Sequence, residues 1–256
     1  MERITSRKNP LLEHMRRLDG AAYRRERGEF LCDSPKLVEE ALRHGAQVLT
    51  VAVSDGMEPP RGLASDVRCV TVPPDVMASI SPVRTPQGML AVCRTPGTVL
   101  PEKLTGRRYA VLDGVQDPGN VGTIWRTADA AGFGAVIFGK GTADGYSPKV
   151  QRAAMGSGFR LAQLTTDDLA QTLIELRGRG YRVIASLLDG EPFFERGDLG
   201  EKYVLVIGNE ARGISDAVRA QADVRLKLPM YGGAESLNAA VAAGIMMYDL
   251  VRRDLA

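Results

Sequence analysis

Three short segments in the C-terminal half of this 256-residue chain place polar side chains directly after a turn or a strand. The first is the turn 117–119, which delivers Asn120 to the start of an amphipathic helix, with Arg126 about one and a half turns further along. Polar groups at the mouth of a strand-turn-helix unit are where α/β proteins bind ligands. The segment therefore favours a binding site, although a helix that begins at Val121 with Asn120 as its cap and Arg126 on its surface explains the same residues without a ligand.

The second segment follows a continuous apolar run. Residues 204–207 are apolar throughout, which is typical of a parallel strand buried on both faces. Gly208 at the end of this run permits another group to approach the backbone closely, and the carboxylate of Glu210 follows. The pattern favours a ligand pocket at the end of the strand, and a plain connecting loop stays open as the alternative.

The third segment joins a strand that ends at Pro229 to an alanine-rich helix predicted over 237–251. Ser236 and Asn238 stand at the head of this helix, after a glycine loop. The small side chains of the helix allow another helix to pack very closely against it. A capped helix with a packing face explains the same residues without any ligand.

The elements that must position these side chains alternate between strand and helix patterns after residue 106. Such alternation predicts a parallel sheet covered by helices. The predicted strands are 109–112, 135–138, 182–186, 203–207 and 224–226, and the predicted helices are 121–131, 169–178, 215–220 and 237–251.

The N-terminal part is predicted to form a smaller α/β unit. Ser34-Pro35 is a strong helix start, because serine caps a helix and proline suits its first position. Prolines and glycines interrupt any periodic pattern over 95–106, which indicates a linker. The predicted domains are therefore 1–94 and 107–256, joined by that linker. Other predicted elements of the first domain are a helix that opens at Asn9 or Pro10 and runs through Leu18, a short helix at 76–80, and strands at 47–53, 67–72 and 88–94.

Composition excludes several classes of protein. No apolar run approaches the roughly 20 residues that span a bilayer, and residues 1–7 lack the apolar core of a signal peptide, so we expect a cytoplasmic protein with no membrane partner. Three widely spaced cysteines and two histidines offer no zinc site and no disulfide framework, so we expect no metal. The net charge is only +2, but residues 1–27 are locally basic and suit contacts with the phosphate backbone of a nucleic acid, although a solvated helix face has the same composition.

Taken together, the three segments resemble the motifs of the SpoU (TrmH) family of RNA ribose methyltransferases in their order and spacing. The resemblance covers residues 107–253, and residues 146–156 also resemble a family segment that supports the site. The matching positions are Asn120 and Arg126 in the first motif, Gly208 and Glu210 in the second, and Pro229, Ser236, Leu237 and Asn238 in the third.

The resemblance implies an α/β fold with a C-terminal trefoil-knotted parallel-sheet methyltransferase domain, whose knot is made by the second and third motifs. It implies a homodimer that shares its site between subunits. It also implies a cofactor, S-adenosyl-L-methionine, bound in a bent form. The cofactor-binding positions that follow are Ile207, Gly208, Leu228, Met230 and Leu237.

The resemblance further implies catalytic roles for the motif side chains. Arg126 matches the catalytic arginine of the family, but a guanidinium pKa above about 12 makes it a poor base. We expect it to clamp the phosphate next to the reacting ribose hydroxyl and to ease formation of the alkoxide, with the phosphate as a possible proton acceptor. The side chains expected to orient Arg126 and the ribose are Asn120, Glu210, Ser236 and Asn238.

The N-terminal domain is similar to the family's substrate-binding domain, which is related to ribosomal RNA-binding proteins, through residues 4–11 and 30–41. We therefore expect RNA contacts from Arg7, Lys8, Arg16 and Arg17. Ribosomal RNA of the large subunit is the first expected substrate and transfer RNA the second. An RNA-binding adaptor with a relic cofactor pocket stays open, whereas an oxidoreductase is disfavoured because 139–145 lacks the full dinucleotide-binding glycine pattern.

Overall fold

The computed structural model describes residues 1–98 and 101–252. Two positions of the predicted linker, 99 and 100, and the last four positions of the predicted C-terminal domain lie outside the described residues. The chain divides into two compact units, the first of residues 1–97 with 144–159 and the second of residues 98–143 with 160–256. The segment 144–159 thus packs with the first unit, although the sequence places it within the C-terminal domain; the sequence-based boundaries stay a prediction.

The first unit is built around a mixed sheet of five strands in the order β1-β4-β3-β5-β2. β5 runs antiparallel to β2 and β3, and the other pairs are parallel. The strands are β1 (Glu2–Arg3), β2 (Glu29–Cys32), β3 (Val48–Ser54), β4 (Arg68–Val72) and β5 (Met89–Arg94), and the helices are α1 (Pro10–Arg17), α2 (Ala21–Arg27), α3 (Pro35–Arg43), α4 (Pro74–Ile80) and, from the later segment, α6 (Pro148–Ala154).

Three helices of this unit begin in the same way. The side chains of Asn9, Ser34 and Ser147 cap α1, α3 and α6, and a proline follows each cap. Proline suits this position because its missing N–H would have no partner in the first helical turn. The predicted start of α3 at Ser34-Pro35 is confirmed.

Side chains alternate between the two faces of the sheet and form two apolar clusters. Ala52 of β3 packs with residues of α1 and α4 on one face, whereas Val51 and Val53 pack with residues of α3 on the other. The segment 144–159 joins the second face, where Tyr146 and Phe159 lie with ring centroids 5.0 Å and 6.1 Å from Phe30.

The second unit contains a parallel sheet of six strands in the order β11-β9-β10-β6-β7-β8. Its strands are β6 (Arg108–Asp113), β7 (Ala135–Phe138), β8 (Ala162–Thr165), β9 (Arg182–Pro192), β10 (Tyr203–Gly208) and β11 (Val224–Lys227), and its helices are α5 (Pro118–Ala130), α7 (Leu169–Gly178), α8 (Asp216–Arg219) and α9 (Ala239–Val251). The parallel sheet predicted from the alternating pattern is confirmed.

The strand order changes direction between β6 and β10. From β6 the chain proceeds outward through β7 and β8, and then returns to place β10, β9 and β11 on the other side. Ligands of open α/β sheets bind beyond the carboxyl ends of the strands at such a switch point. The carboxyl ends of β6 and β10 therefore mark the position of a candidate site.

Candidate active site

The ends of β6 and β10 are neighbours, because Asp113 pairs in register with Gly208. An added Cβ on Gly208 would lie 2.4 Å from the backbone of both Gly213 and Ile214. The close approach that the sequence predicts at Gly208 is therefore made, within the described residues, by the chain's own following loop. The same loop is closed by two backbone hydrogen bonds between Asn209 and Gly213.

The helix α5 begins one turn earlier than the sequence predicts. Asp117, not Asn120, is the capping residue, and its side chain accepts a hydrogen bond of 2.8 Å from the backbone N–H of Asn120. The prediction that Asn120 caps a helix beginning at Val121 is wrong, because Asp117 and Pro118 supply the cap and the first helical position. The side chain of Asn120 is consequently available for other partners.

Asn120 connects the three motif segments through its side chain amide. Its Nδ2 donates to Glu210 Oε1 at 2.9 Å, and its Oδ1 accepts from Asn238 Nδ2 at 2.8 Å. Asn120 is buried, so both halves of its amide need the partners that they have. The structure thus brings Asn120, Glu210 and Asn238 into one hydrogen-bonded chain.

The two outer residues of this hydrogen-bonded chain, Glu210 and Asn238, also accept hydrogen bonds from backbone N–H groups. Glu210 accepts from the backbone N–H groups of Gln116 and Asp117, each at 3.1 Å. Asn238 caps α9, where its Oδ1 accepts from the N–H groups of Ala240 and Val241. The helix therefore begins at Ala239 rather than at residue 237, where the sequence predicts it.

The carboxylate of Glu210 is stabilised in its charged form. Burial by itself would raise its pKa, but the hydrogen bonds from Asn120 and from backbone N–H groups of Gln116, Glu210 and Asp117 outweigh that effect, and the pKa is lowered. A carboxylate with a lowered pKa and occupied oxygens positions other groups better than it accepts a proton.

Two further polar residues lie at the same strand ends and were not predicted from the sequence. Asn209 donates from Nδ2 to the carbonyl oxygen of Gly114 at 2.7 Å, and Asp113 Oδ2 accepts from the backbone N–H of Ser215 at 2.7 Å. These bonds tie the loop after β6 to the loop after β10. The sequence contains a signal for both residues, because Asp113 ends one apolar strand and Asn209 follows another.

Arg126 and Ser236 do not join the hydrogen-bonded chain. Both side chains are exposed, and neither side chain forms a hydrogen bond or ion pair within the part of the chain that the structure describes. Arg126 lies on α5, which packs against α9, where an added Cβ on Gly244 would lie 3.6 Å from Thr127 Cγ2. The small residues of α9 predict close packing against another helix, and α5 is such a helix.

The expected cofactor positions differ in their burial. Ile207 is buried, Leu228 and Met230 are half-buried, and Leu237 is exposed. Within the described residues, the run 228–237 forms no hydrogen bond, so its backbone N–H and C=O groups are available to a ligand. Free backbone donors and acceptors beside half-buried apolar side chains fit the adenosine part of S-adenosylmethionine.

The expected RNA-binding residues lie on the first unit and are all exposed. Arg7 is paired with Asp75 at 2.6 Å, Arg16 donates from Nε to the carbonyl oxygen of Ser79 at 2.9 Å, and the guanidinium of Arg17 lies 3.9 Å from the ring centroid of Tyr23. The ammonium group of Lys8 forms no hydrogen bond or ion pair with any described residue.

One basic residue of the N-terminal segment has a structural role. Arg24 is buried, and it donates to Asp144 and to the carbonyl oxygens of Leu18 and Asp19. It therefore does not contribute to the exposed basic surface that the sequence predicts over residues 1–27.

The described residues also bear on metal binding and membrane insertion. Over residues 1–98 and 101–252, no group of three or more His, Cys, Asp and Glu side chains is placed to hold a metal ion. No helix in those same ranges combines the length and apolar character needed to cross a bilayer.

The chain resembles characterised protein families along most of its length. Residues 107–248 match the SpoU rRNA Methylase family, and residues 9–91 match the MRM3-like substrate binding domain. The 23S rRNA (guanosine(2553)-2'-O)-methyltransferase RlmP of Bacillus subtilis (strain 168) is 37% identical over 251 residues, which cover 98% of this chain and 99% of that protein.

Solved structures resemble both units. The AdoMet-bound rRNA methyltransferase from Sinorhizobium meliloti superposes with a TM-score of 0.87 at 31% identity, over 100% of this chain and 98% of that one. The SpoU methyltransferase AviRb from Streptomyces viridochromogenes, in complex with AdoMet, gives a TM-score of 0.86 at 28% identity, over 97% and 99% of the two chains. With three motif segments joined at the ends of β6 and β10 and with these matches, the chain belongs to the SpoU rRNA methylase family.

Proposed function

We propose that this protein transfers a methyl group from S-adenosylmethionine to a ribose 2′-hydroxyl of structured RNA, with large-subunit ribosomal RNA as the substrate. The observation that carries the proposal is the hydrogen-bonded chain Glu210–Asn120–Asn238, which joins the three motif segments at the sheet's switch point. The full-length match to a relative named as a 23S rRNA 2'-O-methyltransferase supports this choice of reaction and RNA.

S-adenosylmethionine supplies, when bound, a sulfonium methyl group that an oxygen nucleophile can accept. Leu228 and Met230 would provide apolar contacts, and the unpaired backbone of 228–237 would bond the adenosine. Ile207, Gly208 and Leu237 would contribute through their backbone at the end of β10 and before α9.

Arg126 would hold the RNA phosphate beside the reacting ribose. Its guanidinium is exposed and has no partner among the described residues, so it can form a bidentate pair with a phosphate. A fixed positive charge at this place lowers the cost of forming the ribose alkoxide. The proton of the hydroxyl would leave to the phosphate or to solvent rather than to Arg126.

The remaining polar side chains would position the reacting groups. Glu210, with its lowered pKa, would keep the start of α5 and the side chain of Asn120 in place. Asn238 would fix the start of α9 next to Asn120. The free hydroxyl of Ser236 would be available to the ribose.

The functional form would be a homodimer, and α9 supports this. Val241, Ile245 and Tyr248 recur at helical spacing and are 51%, 39% and 46% exposed, which makes an apolar stripe on a face of α9. A second copy of the chain would cover this stripe. The trefoil knot, made by the segments that follow β10 and β11, belongs to the same proposal.

The first unit would bind the RNA through Arg7, Lys8, Arg16 and Arg17, and the protein would act in the cytoplasm without a metal. The match of residues 9–91 to a substrate binding domain supports the RNA-binding role of the first unit.

A methylation assay with labelled S-adenosylmethionine tests the whole proposal. Ribosomal RNA should accept the label at one ribose, whereas transfer RNA accepting it instead would reassign the substrate, and no transfer to either would favour the adaptor.

A further inference from the structure

The first unit contains a cleft of about 510 Å³ between the start of α3 and the loop 83–87. Clefts of about 300–1,000 Å³ are the usual size for small-molecule and cofactor sites, so this one has room for a nucleotide. Asp33, Lys36, Arg84 and Arg152 line it.

Two cations of the cleft are free to bind an anion. Lys36 and Arg84 are exposed, and neither has a hydrogen bond or ion pair within the described residues. The backbone N–H of Lys36 also lacks a partner among them, in the first turn of the nine-residue helix α3. Unpaired N–H groups at the start of a helix and the helix dipole both favour a phosphate.

One residue of the cleft lining, Asp33, has a buried acceptor atom that no donor contacts. The side chain of Asp33 is only 1% exposed, and its Oδ2 accepts from Arg152 Nη1 at 2.5 Å. Its Oδ1 is buried and has no hydrogen-bond partner. A buried carboxylate oxygen without a partner is unfavourable, so a ligand that brings an N–H donor would be stabilised here.

A ligand that suits this cleft combines an anion with a hydrogen-bond donor. An acidic peptide side chain brings an anion for Lys36 and Arg84 but no donor of its own, whereas a nucleotide also presents N–H groups on its base. The Watson–Crick edge of a base is free for such contacts when the RNA is single-stranded. Because Oδ1 lies beneath the cleft surface, the flexible side chains that line the cleft must shift to admit the base edge.

We propose that this cleft binds one unpaired RNA nucleotide, with its phosphate on Lys36 and Arg84 and an N–H donor of its base on Asp33 Oδ1. The inference rests on the proposed function, since it assigns to the first unit one defined contact with the RNA substrate. The residues that line the cleft belong to the first unit, whereas the proposed methyl-transfer site is built from residues of the second unit.

The phosphate contact is tested with fluorescein-labelled heptacytidylate and the full-length protein. Arg84→Ala should weaken binding by about tenfold and reduce the dependence of log Kd on log salt by about 0.7, the value for one lost phosphate contact on a single strand. Arg61→Ala is the matched control, because Arg61 is also exposed and without a partner among the described residues, and it lies outside the cleft lining. Equal effects of the two substitutions would overturn the phosphate contact.

The base contact is tested by replacing heptacytidylate with an abasic RNA of the same length and charge. The wild-type protein should prefer heptacytidylate by about tenfold, as one hydrogen bond to a charged group provides, and Asp33→Ala should abolish that preference. A wild-type protein that binds both strands equally overturns the base contact without any variant, so a folding defect in Asp33→Ala does not decide the question. If wild type methylates ribosomal RNA while these binding tests fail, only the cleft assignment is lost; if it methylates no RNA, the proposed function is lost.

Discussion

Asn120 donates from Nδ2 to Glu210 and accepts at Oδ1 from Asn238, so a single buried amide links the segments after β6 and β10 to the start of α9. The partners lie 90 and 118 residues away from Asn120 in sequence. An amide suits this place because it offers a donor and an acceptor in fixed opposition. Aspartate would lack the donor for Glu210 and would place two carboxylates together.

Glu210→Gln tests this linkage through stability. The Gln amide nitrogen would face N–H donors, so we expect the free energy of unfolding to fall by about 1–2 kcal/mol at neutral pH. The lowered pKa of Glu210 sets the pH dependence, since the stability it contributes is present above its ordinary value near 4.5 and is lost as the pH falls through the folded-state value. Denaturant unfolding of both proteins should show the difference shrinking on acidification. A difference that grows on acidification would contradict the hydrogen-bond pattern.

Arg126→Ala tests the proposed phosphate clamp. We expect turnover to fall by about 10²–10³-fold, the usual loss for one preorganised electrostatic contact, while the Kd for S-adenosylmethionine measured by calorimetry is unchanged. Arg126→Lys should recover only part of the rate, because an ammonium lacks the bidentate geometry. Arg225→Ala removes an exposed arginine elsewhere in the second unit and should leave turnover at the wild-type level. Normal turnover in Arg126→Ala would exclude the role.

Gly208→Ala tests the packing at the end of β10. The added Cβ would lie 2.4 Å from backbone atoms of Gly213 and Ile214, which cannot move away as a flexible side chain can. We expect a loss of about 3 kcal/mol or more in unfolding free energy, at the upper end of overpacking effects. Gly197→Ala, where an added Cβ meets nothing within 4 Å, is the control for the glycine-to-alanine change itself. An unaltered melting temperature for Gly208→Ala would show that the loop 209–214 lies elsewhere.

Local sequence signals were sufficient for much of the second unit. The apolar runs that form β6 and β10 are fully buried over 109–112 and 203–207, and α7 has the predicted bounds Leu169–Gly178. The strand β8 (Ala162–Thr165) was missed because it is a short edge strand in which Gln163 and Thr165 interrupt the apolar pattern. The elements β1, β2, α2 and α6 were also not predicted. The helix α2 is short and largely polar, and Gly20 at its capping position offers no side chain to cap it.

The arrangement of the site was harder to predict from local sequence patterns. The turn signal at Asp117-Pro118 was present, but the cap was assigned to Asn120 because the apolar face starts at Val121. No spacing rule relates Asn120 to residues 90 and 118 positions away, so their association followed only from the resemblance to a family. The partners of Arg24 were equally hidden, because its acceptor Asp144 belongs to a segment distant in sequence.

Substitutions in the N-terminal basic segment should separate RNA contacts from structural ones. Lys8→Ala should weaken RNA binding and reduce the salt dependence of log Kd by about 0.7, with unchanged melting temperature, because the side chain of Lys8 is exposed and its ammonium group has no partner among the described residues. Arg24→Ala should instead lower the melting temperature, because it removes a buried guanidinium and leaves the half-buried carboxylate of Asp144 without its ion-pair partner. Fluorescence anisotropy with ribosomal RNA fragments and thermal unfolding measure the two effects. The opposite pattern would reverse these assignments.

Ile245→Glu tests the proposed homodimer. Ile245 lies in the apolar stripe of α9 with Val241 and Tyr248, so a charge there would have to be buried without a partner if a second copy covers the stripe. We expect the mass measured by light scattering to fall from that of a dimer to that of a monomer, and methylation to fall with it because the site would be shared between subunits. Ile174→Glu is the matched control, since Ile174 is 46% exposed on α7 and outside the stripe. If the wild-type protein is monomeric and still methylates RNA, the homodimer is not part of the function. In that case no second copy of the chain covers the stripe.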